Sequence, residues 1–524
     1  MTETYIPGGL KKFKVILKNA DGTRERNISN LVLNISITED IFKNTLYGAL
    51  RIKDAVDLLG GLANVSNAKD TGFPIIGEEF LEIDYATETA DGNLAEVSLR
   101  FAVYAIENIN YAQNNTLKEY TLNFCSEEHL IDATSVVMKS YNRAHSDNID
   151  DLTKDYLLID KANNPFKGKR VKTLNKKQET KGLQNVVIPR LTPLQACQFL
   201  ARRSISSSDE FVSATYLFFE NFKGFNFCDV EYLIKKGMEK IKSAGGLPST
   251  DNKPHPFKYV FENPLIGNQN EAINPRETNT ILKMEQKSFF DTVAKLKRGM
   301  FESDVIVYDY INQKAIPSRF RFLDNGDKTN NKSLTLGNEK EQSYPENSIT
   351  FMNSVTSKDD KEVKYSRFFF IPKDLSSTNQ DSFMDQIYPA RASYFTRLAQ
   401  NMFTLDVYGN PKINAGDVVF ITMPAGNPQD PSALNPYLTG YYLVATINHI
   451  LTQTTYQAKW DVYKNAFGKK VESTPEAAST KTKPTDNKSK QDNYQEENDP
   501  GNLFPNVPDN GVVGTVSNVL RGLL

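Results

Sequence analysis

Histidine is scarce in this 524-residue chain: His129, His145, His255 and His449 are the four. None stands in an HExxH or comparable spacing, which argues against a histidine-rich metal site. No GxSxG is present to form a nucleophile elbow, and no GxxxxGK[ST] to cradle phosphate. The three cysteines, Cys125, Cys197 and Cys228, lie far apart in apolar runs with no CxxC among them. That spacing gives neither a disulfide framework nor a zinc knuckle. No 18-residue apolar stretch occurs, and the opening MTETYIPGGLKKFKVILK has no signal-peptide core. The expectation is a chain kept in a reducing, aqueous compartment, away from membrane. Neither sign of charge prevails, since 62 basic and 64 acidic residues leave a net charge of −2. The overall basic field of a nucleic-acid binder is therefore missing. Carboxylates are plentiful enough for a glycosidase-like pair, but no motif sets two together. The expectation is no enzyme, no cofactor and no metal.

What the chain does have is phenylalanine (31) and tyrosine (24), with a single tryptophan. These side chains suit half-buried pleated surfaces, and the length implies several domains. Period-two alternation begins at Phe13-Val15-Leu17 and resumes, after an Asp21-Gly22 turn, in Leu31–Thr38. It returns at Leu46–Ile52 and Leu81–Tyr85, and is clearest at Val97–Ala105 before Tyr120-Leu122-Phe124. At least six short strands within about 125 residues predict a small antiparallel barrel or sandwich.

Helical signals then appear. Ser126-Glu127-Glu128 can cap a helix through Leu130, Ala133 and Val137, and Thr192-Pro193 is an N-cap and first-turn pair for LQACQFLARRSI. Residues 160–185 are basic and poor in apolar side chains, which reads as a surface loop. Phe289, Val293, Leu296 and Met300 recur on one helical face, predicting a helix from near Ser288. Residues 321–347 read as a long exposed loop. Alternation resumes after Arg391, with a Gly409-Asn410-Pro411 turn, Val418–Phe420, Leu443–Ile447, and Tyr456 to Val462.

One stretch, Lys223-Gly224-Phe225-Asn226-Phe227, approaches the signature of an RNA-recognition strand. It departs from that signature at Asn226, where Gly or Ala is wanted, and at Cys228, where an aliphatic residue is wanted. A hairpin is the plainer reading. Tyr216 and Phe218 alternate with Leu217 and Phe219, Asn221–Gly224 turns the chain, and Phe225 and Phe227 line the return strand. Cross-strand aromatic pairs of this kind contribute roughly 0.2–1 kcal/mol each.

Residues 469–510 have almost no large apolar side chains and cannot bury enough surface to offset ordering entropy. They read as a flexible linker. Val513, Val516, Leu520 and Leu523 beyond it can share a helical face, either docking on another chain or packing back on their own domain.

Several of these segments, in this order, resemble the baseplate hub proteins of contractile-tailed bacteriophages. They are the hairpin TYLFFEN-x-x-GFNF after its helix, Ile35–Leu59, Gly77-Glu78-Glu79 before a strand, Phe290–Asp309, and Gly409-Asn410-Pro411-KINAGDVV. The last is similar also to the hub portion of secretion-system spikes. The resemblance spans residues 5–468. It implies a β-rich α+β fold with two tail-tube-like antiparallel barrels. The first is residues 1–125, and the second, discontinuous one is 276–314 with 391–468. A mixed middle domain (126–275) carries the hairpin, 315–390 completes the middle region, and 469–524 is the appended tail. The function implied is a structural trimeric ring that adapts a sixfold tail tube to a threefold spike and lets the genome pass. The alternatives are a tail-borne cell-wall hydrolase or a nucleic-acid module built on the KGFNF hairpin. Implied partners are the chain itself, the central spike, the tail tube or its initiator, and baseplate wedge proteins. DNA would pass through without specific binding. The implied location is the virion tail baseplate, after assembly in host cytoplasm. Shape-setting roles fall to Gly409, Asn410, Pro411, Gly416 and Asp417, and to the hairpin residues Phe218, Phe219, Gly224, Phe225 and Phe227.

Overall fold

A computed structural model describes residues 7–55, 58, 75–89, 93–112, 117–157, 159, 172–207, 213–248, 255–261, 279–289, 291–300, 302–310, 312–321, 367–372, 384–426 and 433–465. Contacts divide the chain into Met1–Lys470 and Val471–Leu524. The second unit, with Val513, Val516, Leu520 and Leu523, lies outside the described residues.

The fold is β-rich. The first strands are β1 (Leu10–Lys18), β2 (Glu25–Asn27), β3 (Val32–Asp40), β4 (Tyr47–Asp54), β5 (Phe80–Glu88), β6 (Leu94–Ala112) and β7 (Leu117–Cys125). The middle of the chain holds helix α1 (Glu127–Thr134), β8 (Ser140–Arg143), α2 (His145–Asp151), β9 (Leu174–Lys177), β10 (Gln184–Val187) and α3 (Pro193–Ala201). Next come the aromatic strands β11 (Tyr216–Asn221) and β12 (Gly224–Asp229), then α4 (Val230–Ser243). There follow β13 (Lys258–Phe261), β14 (Asn279–Phe289), α5 (Thr292–Lys297), β15 (Glu302–Asp309), β16 (Lys314–Arg321), β17 (Arg367–Pro372) and α6 (Met384–Leu398). The last strands are β18 (Asn401–Tyr408), β19 (Val418–Thr422), β20 (Gly440–Leu451) and β21 (Tyr456–Lys464).

Thirteen of these strands make one continuous sheet, in the order β19-β13-β14-β18-β21-β20-β3-β4-β7-β6-β5-β1-β2. A further pairing of β19 with β20 closes the first six into a ring. The remaining strands wrap one apolar core that includes Val15, Leu17, Ile35, Ile37, Leu50, Leu81, Phe101, Leu122 and Phe124. The alternation that marked these strands is the reason: the apolar side of each pleat is buried, which fixes the register, and β5 is covered on its other side as well.

The two six-stranded units repeat each other. Matching β1, β3, β4, β5, β6 and β7 in order with β13, β14, β18, β19, β20 and β21 makes the run β1-β5-β6-β7-β4-β3 correspond to β13-β19-β20-β21-β18-β14. The β13–β14 pair that closes the second unit has no ladder counterpart among the described residues of the first, where β1 pairs with β2 instead. The match extends to register: Tyr47 opposes Cys125 as Asn401 opposes Lys464. Direction departs once, because the short β13 runs parallel to both its neighbours where β1 is antiparallel to β5.

The hairpin β11–β12 forms as expected, with Asn221 opposite Gly224 and Phe218 opposite Phe227. Gly224 takes φ +123°, and an added Cβ would crowd the Thr173 carbonyl, so glycine is required there. The hairpin gains β9 as a parallel third strand, so part of the basic segment 160–185 is sheet. Thr192 and Gln195 make a reciprocal capping box at the start of α3. Thr192→Ala is expected to cost about 1 kcal/mol, read as a lower urea midpoint at unchanged m.

Three expectations shift. Ser126 stands at the N-cap of α1 without capping it; its hydroxyl donates to the Glu220 carboxylate at 2.5 Å, and the helix stops at Thr134. The helix expected from Ser288 starts only at Thr292, because Ser288 and Phe289 are still paired with Met402 and Asn401. The 3.6-residue pattern there continues a strand into a short helix, and Val293 is 60% exposed. Finally, β15 lies in a separate sheet ordered β16-β15-β17 that packs on α6, although its residues fall within 276–314. In its place β13, from the segment assigned to the middle domain, completes the closed ring.

Candidate functional site

The two β-units meet at a seam where β3 and β20 pair antiparallel from Ile35–Leu451 to Asp40–Thr446. Glu39 sits in this seam with no solvent exposure. Its Oε2 accepts the Ala415 N–H at 2.8 Å, and its Oε1 accepts the Phe222 N–H at 3.3 Å. His449 Nε2 lies 3.2 Å from the same Oε1, while its Nδ1 lies 2.7 Å from the Tyr456 hydroxyl. The imidazole stacks on Phe222 with centroids 4.3 Å apart. One carboxylate thereby ties β3 to β20, to the tip of the aromatic hairpin and to the segment before β19. With His449 only 1% exposed, no substrate in solution can reach this Glu–His–Tyr chain. Its chemistry is that of a fully satisfied polar joint.

The segment before β19 carries the turn residues singled out above. Gly409 donates its N–H to the Tyr456 carbonyl at 2.9 Å, and its Cα faces the Tyr456 ring. Asn410 accepts the Lys412 N–H at 3.0 Å and donates its amide to the Tyr259 hydroxyl at 3.2 Å. Pro411 follows in the bend that the Ile413 N–H closes onto the Asn410 carbonyl at 3.2 Å. Gly416 adopts φ +90°. Asp417 accepts the Asn414 N–H at 3.0 Å and the Lys240 ammonium at 2.8 Å.

The other unit builds the same device before β5. Gly77 adopts φ +91°, and Glu79 accepts the Ile76 N–H at 2.6 Å. The Glu79 carbonyl then receives the Val103 N–H at 2.8 Å, as the Asp417 carbonyl receives that of Val444 at 2.9 Å. A glycine in the left-handed region and an acid bonding back three residues thus launch the equivalent strand in both units.

A second joint anchors the hairpin to the first unit. Glu220 accepts the Leu46 N–H at 3.0 Å and pairs with Lys172 at 2.8 Å. Lys172 also pairs with Glu128 at 2.5 Å, and Arg100 with Glu127 at 2.7 Å. Burial opposes the Lys172 charge, yet Glu128 and Glu220 beside it hold its proton more firmly than usual. Burial pushes Glu127 up to about 7 against the pull of Arg100. A folded-state value raised above the unfolded one gives stability that is present below the unfolded value and lost as pH rises through 7. Relative to Glu127→Gln, the wild type is therefore expected to lose about 1 kcal/mol between pH 6 and pH 8. Urea melts at the two pH values check this; a constant difference would contradict it.

The hairpin aromatics are structural. Phe218, Phe219, Phe225 and Phe227 are all buried, with Tyr216–Phe227 and Phe218–Phe225 centroids 5.1 and 5.6 Å apart. No ring of KGFNF is open to stack a base. Glu39 and Glu220 escaped the sequence reading, although a signal was there. Glu39 follows Ile35 and Ile37 on the buried phase of its strand, and Glu220 follows Tyr216 and Phe218 on theirs. An acid in an apolar phase marks a buried joint. The turn residues and the hairpin tip converge on Glu39: Ala415 and Phe222 bond to it, and Asn221 donates to the Ala415 carbonyl at 3.1 Å. Cys125, Cys197 and Cys228 are buried and stand outside any disulfide. Among the described residues no group of three His, Cys, Asp or Glu could hold a metal, and no helix is long and apolar enough to cross a membrane.

No family model and no curated protein matches the sequence. Solved structures do match. Prophage MuSo2 43 kDa tail protein from Shewanella oneidensis is 11% identical with a TM-score of 0.44, covering 87% of this chain and all of that one. The tail protein from Neisseria meningitidis MC58 is 10% identical with a TM-score of 0.41, covering 86% and 97%. A chain of the Francisella PdpA–VgrG complex is 9% identical with a TM-score of 0.40, covering 88% of this chain and 54% of that one. The structural neighbours are phage tail proteins and spike proteins.

Proposed function

We propose that the chain is a non-enzymatic hub of a phage-tail baseplate, in which three copies close a ring of six β-units. Such a ring adapts a sixfold tail tube, or its initiator, to a threefold central spike. It sits among wedge proteins in the virion after assembly in host cytoplasm. The observation that carries this reading is the repetition of one six-stranded unit, each with its Gly-acid turn, joined side by side in one sheet. Two tube-like units per chain let a threefold object present six equivalent faces, which is what a symmetry adaptor needs. The ordered series of hub-like motifs supports the same reading. A net charge of −2 suits a lumen that passes DNA without holding its phosphates. In this reading Glu39, Glu220 and the turn residues keep the two units at a fixed angle. The apolar face of Val513, Val516, Leu520 and Leu523 reaches a partner protein.

The test is the mass of the full chain by light scattering, with negative-stain images, alone and co-expressed with its spike candidate. A three-copy particle with a central hole is expected in at least one sample. A monomer in both overturns the hub.

A further inference from the structure

Within the chain, β20 has two neighbours on one side. Gly440–Leu443 pair with β19, and the overhanging Thr446–Leu451 pair with β3 of the other unit. That second pairing is the seam. Its two strands have counterparts, because β6 corresponds to β20 and β14 to β3 in the repeated unit.

Both counterparts are open along the matching edge. β6 pairs with β5 through Leu94–Ala102, and Val103 donates to the Glu79 carbonyl. From Tyr104 to Ala112 it has β7 on one side and no ladder partner on the other among the described residues. β14 pairs with β18 on one side and meets β13 only at Asn279–Ile281. Its edge from Leu282 to Phe289 is unpaired among the described residues. Long unpaired edges are ordinarily blunted by proline, lysine or brevity. The β6 edge instead carries exposed Tyr104, Ile109 and Tyr111, and its only charged residue is Glu107. The β14 edge carries exposed Lys283, Glu285 and Lys287, and because Glu285 pairs with Lys287 at 2.6 Å, Lys283 is left as the excess cation of sign opposite to Glu107.

We propose that these edges pair between copies, β6 of one chain with β14 of the next, repeating the β20–β3 seam. Each chain carries one edge of each kind, so the contact is head-to-tail and closes a ring when the rotation allows. The internal ladder also sets the register. His449 opposes Ile37 in the seam, and the residues holding those places in the repeat are Asn110 and Ser288, given the ladders of β6 with β7 and of β14 with β18. Asn110 therefore faces Ser288 of the neighbouring copy. This rests on the ring reading above, because a chain without neighbours has nothing to pair with.

The test uses the full-length chain, whose three native cysteines are buried. Asn110→Cys and Ser288→Cys chains are purified separately, mixed under assembly conditions and oxidised, then run on a non-reducing gel. Cysteines directly opposite across antiparallel strands lie close enough to bridge. A covalent dimer is expected from the mixture, and none from either variant alone. A second variant, Ile109→Lys/Tyr111→Lys, is expected to keep the monomer's melting temperature and weaken association at least tenfold. Oligomers that form in light scattering without the mixed cross-link, or that cross-link within Asn110→Cys alone, overturn the seam but leave the ring. A wild-type chain that stays monomeric, alone and with its spike candidate, removes the ring and the seam with it.

Discussion

Glu39→Ala is expected to lower the unfolding free energy by about 3–5 kcal/mol, among the largest single-residue effects in this chain. The side chain has no solvent exposure and accepts the Phe222 and Ala415 N–H groups besides facing His449. Truncation strands two buried backbone donors and one imidazole nitrogen, at roughly 1–3 kcal/mol for each unsatisfied group. It also opens a void where β3, β20, the hairpin tip and the segment before β19 meet. Glu39→Gln keeps one acceptor oxygen and is expected to cost about half as much. Urea unfolding followed by tryptophan fluorescence suits the test, since Trp460 is buried opposite Ile447, the β20 neighbour of Glu39. An alanine variant within about 1 kcal/mol of wild type would show that the seam holds without this clamp.

Gly409→Val is the second large effect. A Cβ at Gly409 would overlap Cγ, Cδ1 and Cδ2 of Tyr456, so the ring must leave its place. Its hydroxyl then leaves His449, and its edge-on packing with Tyr85, now at a centroid distance of 5.3 Å, is lost. Overpacking alone costs about 1–3 kcal/mol, and the broken joint brings the total to about 3–5 kcal/mol. Gly409→Ala is expected to be milder but still destabilising. Near-ultraviolet circular dichroism and a thermal melt read the outcome together, because displaced tyrosines change the first and lost stability the second. Gly22→Ala is the control, since nothing lies within 4 Å of its Cβ position. Its φ of +69° limits the cost to backbone strain. Gly409→Val no worse than that control would contradict the close approach.

The amino-acid order by itself determined the strands and their buried faces. Ile35-Ile37, Leu81-Ile83 and Phe403-Leu405 alternate with period two, and such a pleat has one register that buries its apolar side. It determined the aromatic hairpin, because Asn221–Gly224 can turn only where a glycine tolerates the reversal. It determined the α3 cap, whose partners are three residues apart. Local rules failed where distant chain segments competed for the same residue. Ser126 had the side chain of a cap, but buried Glu220 took its hydroxyl. Ser288 began a helical pattern, but β18 held its backbone in a ladder. Tertiary structure alone decided that β13 completes a ring by joining nearby β14 to the distant β19, and that β15 leaves it for a separate sheet. It alone brought Glu39, Phe222, Ala415 and His449 to one point. Periodicity records which side of a strand is buried and says nothing of which strand lies beside it. Neighbours are chosen by the whole sheet at once, through shared burial and the need to satisfy every enclosed polar group.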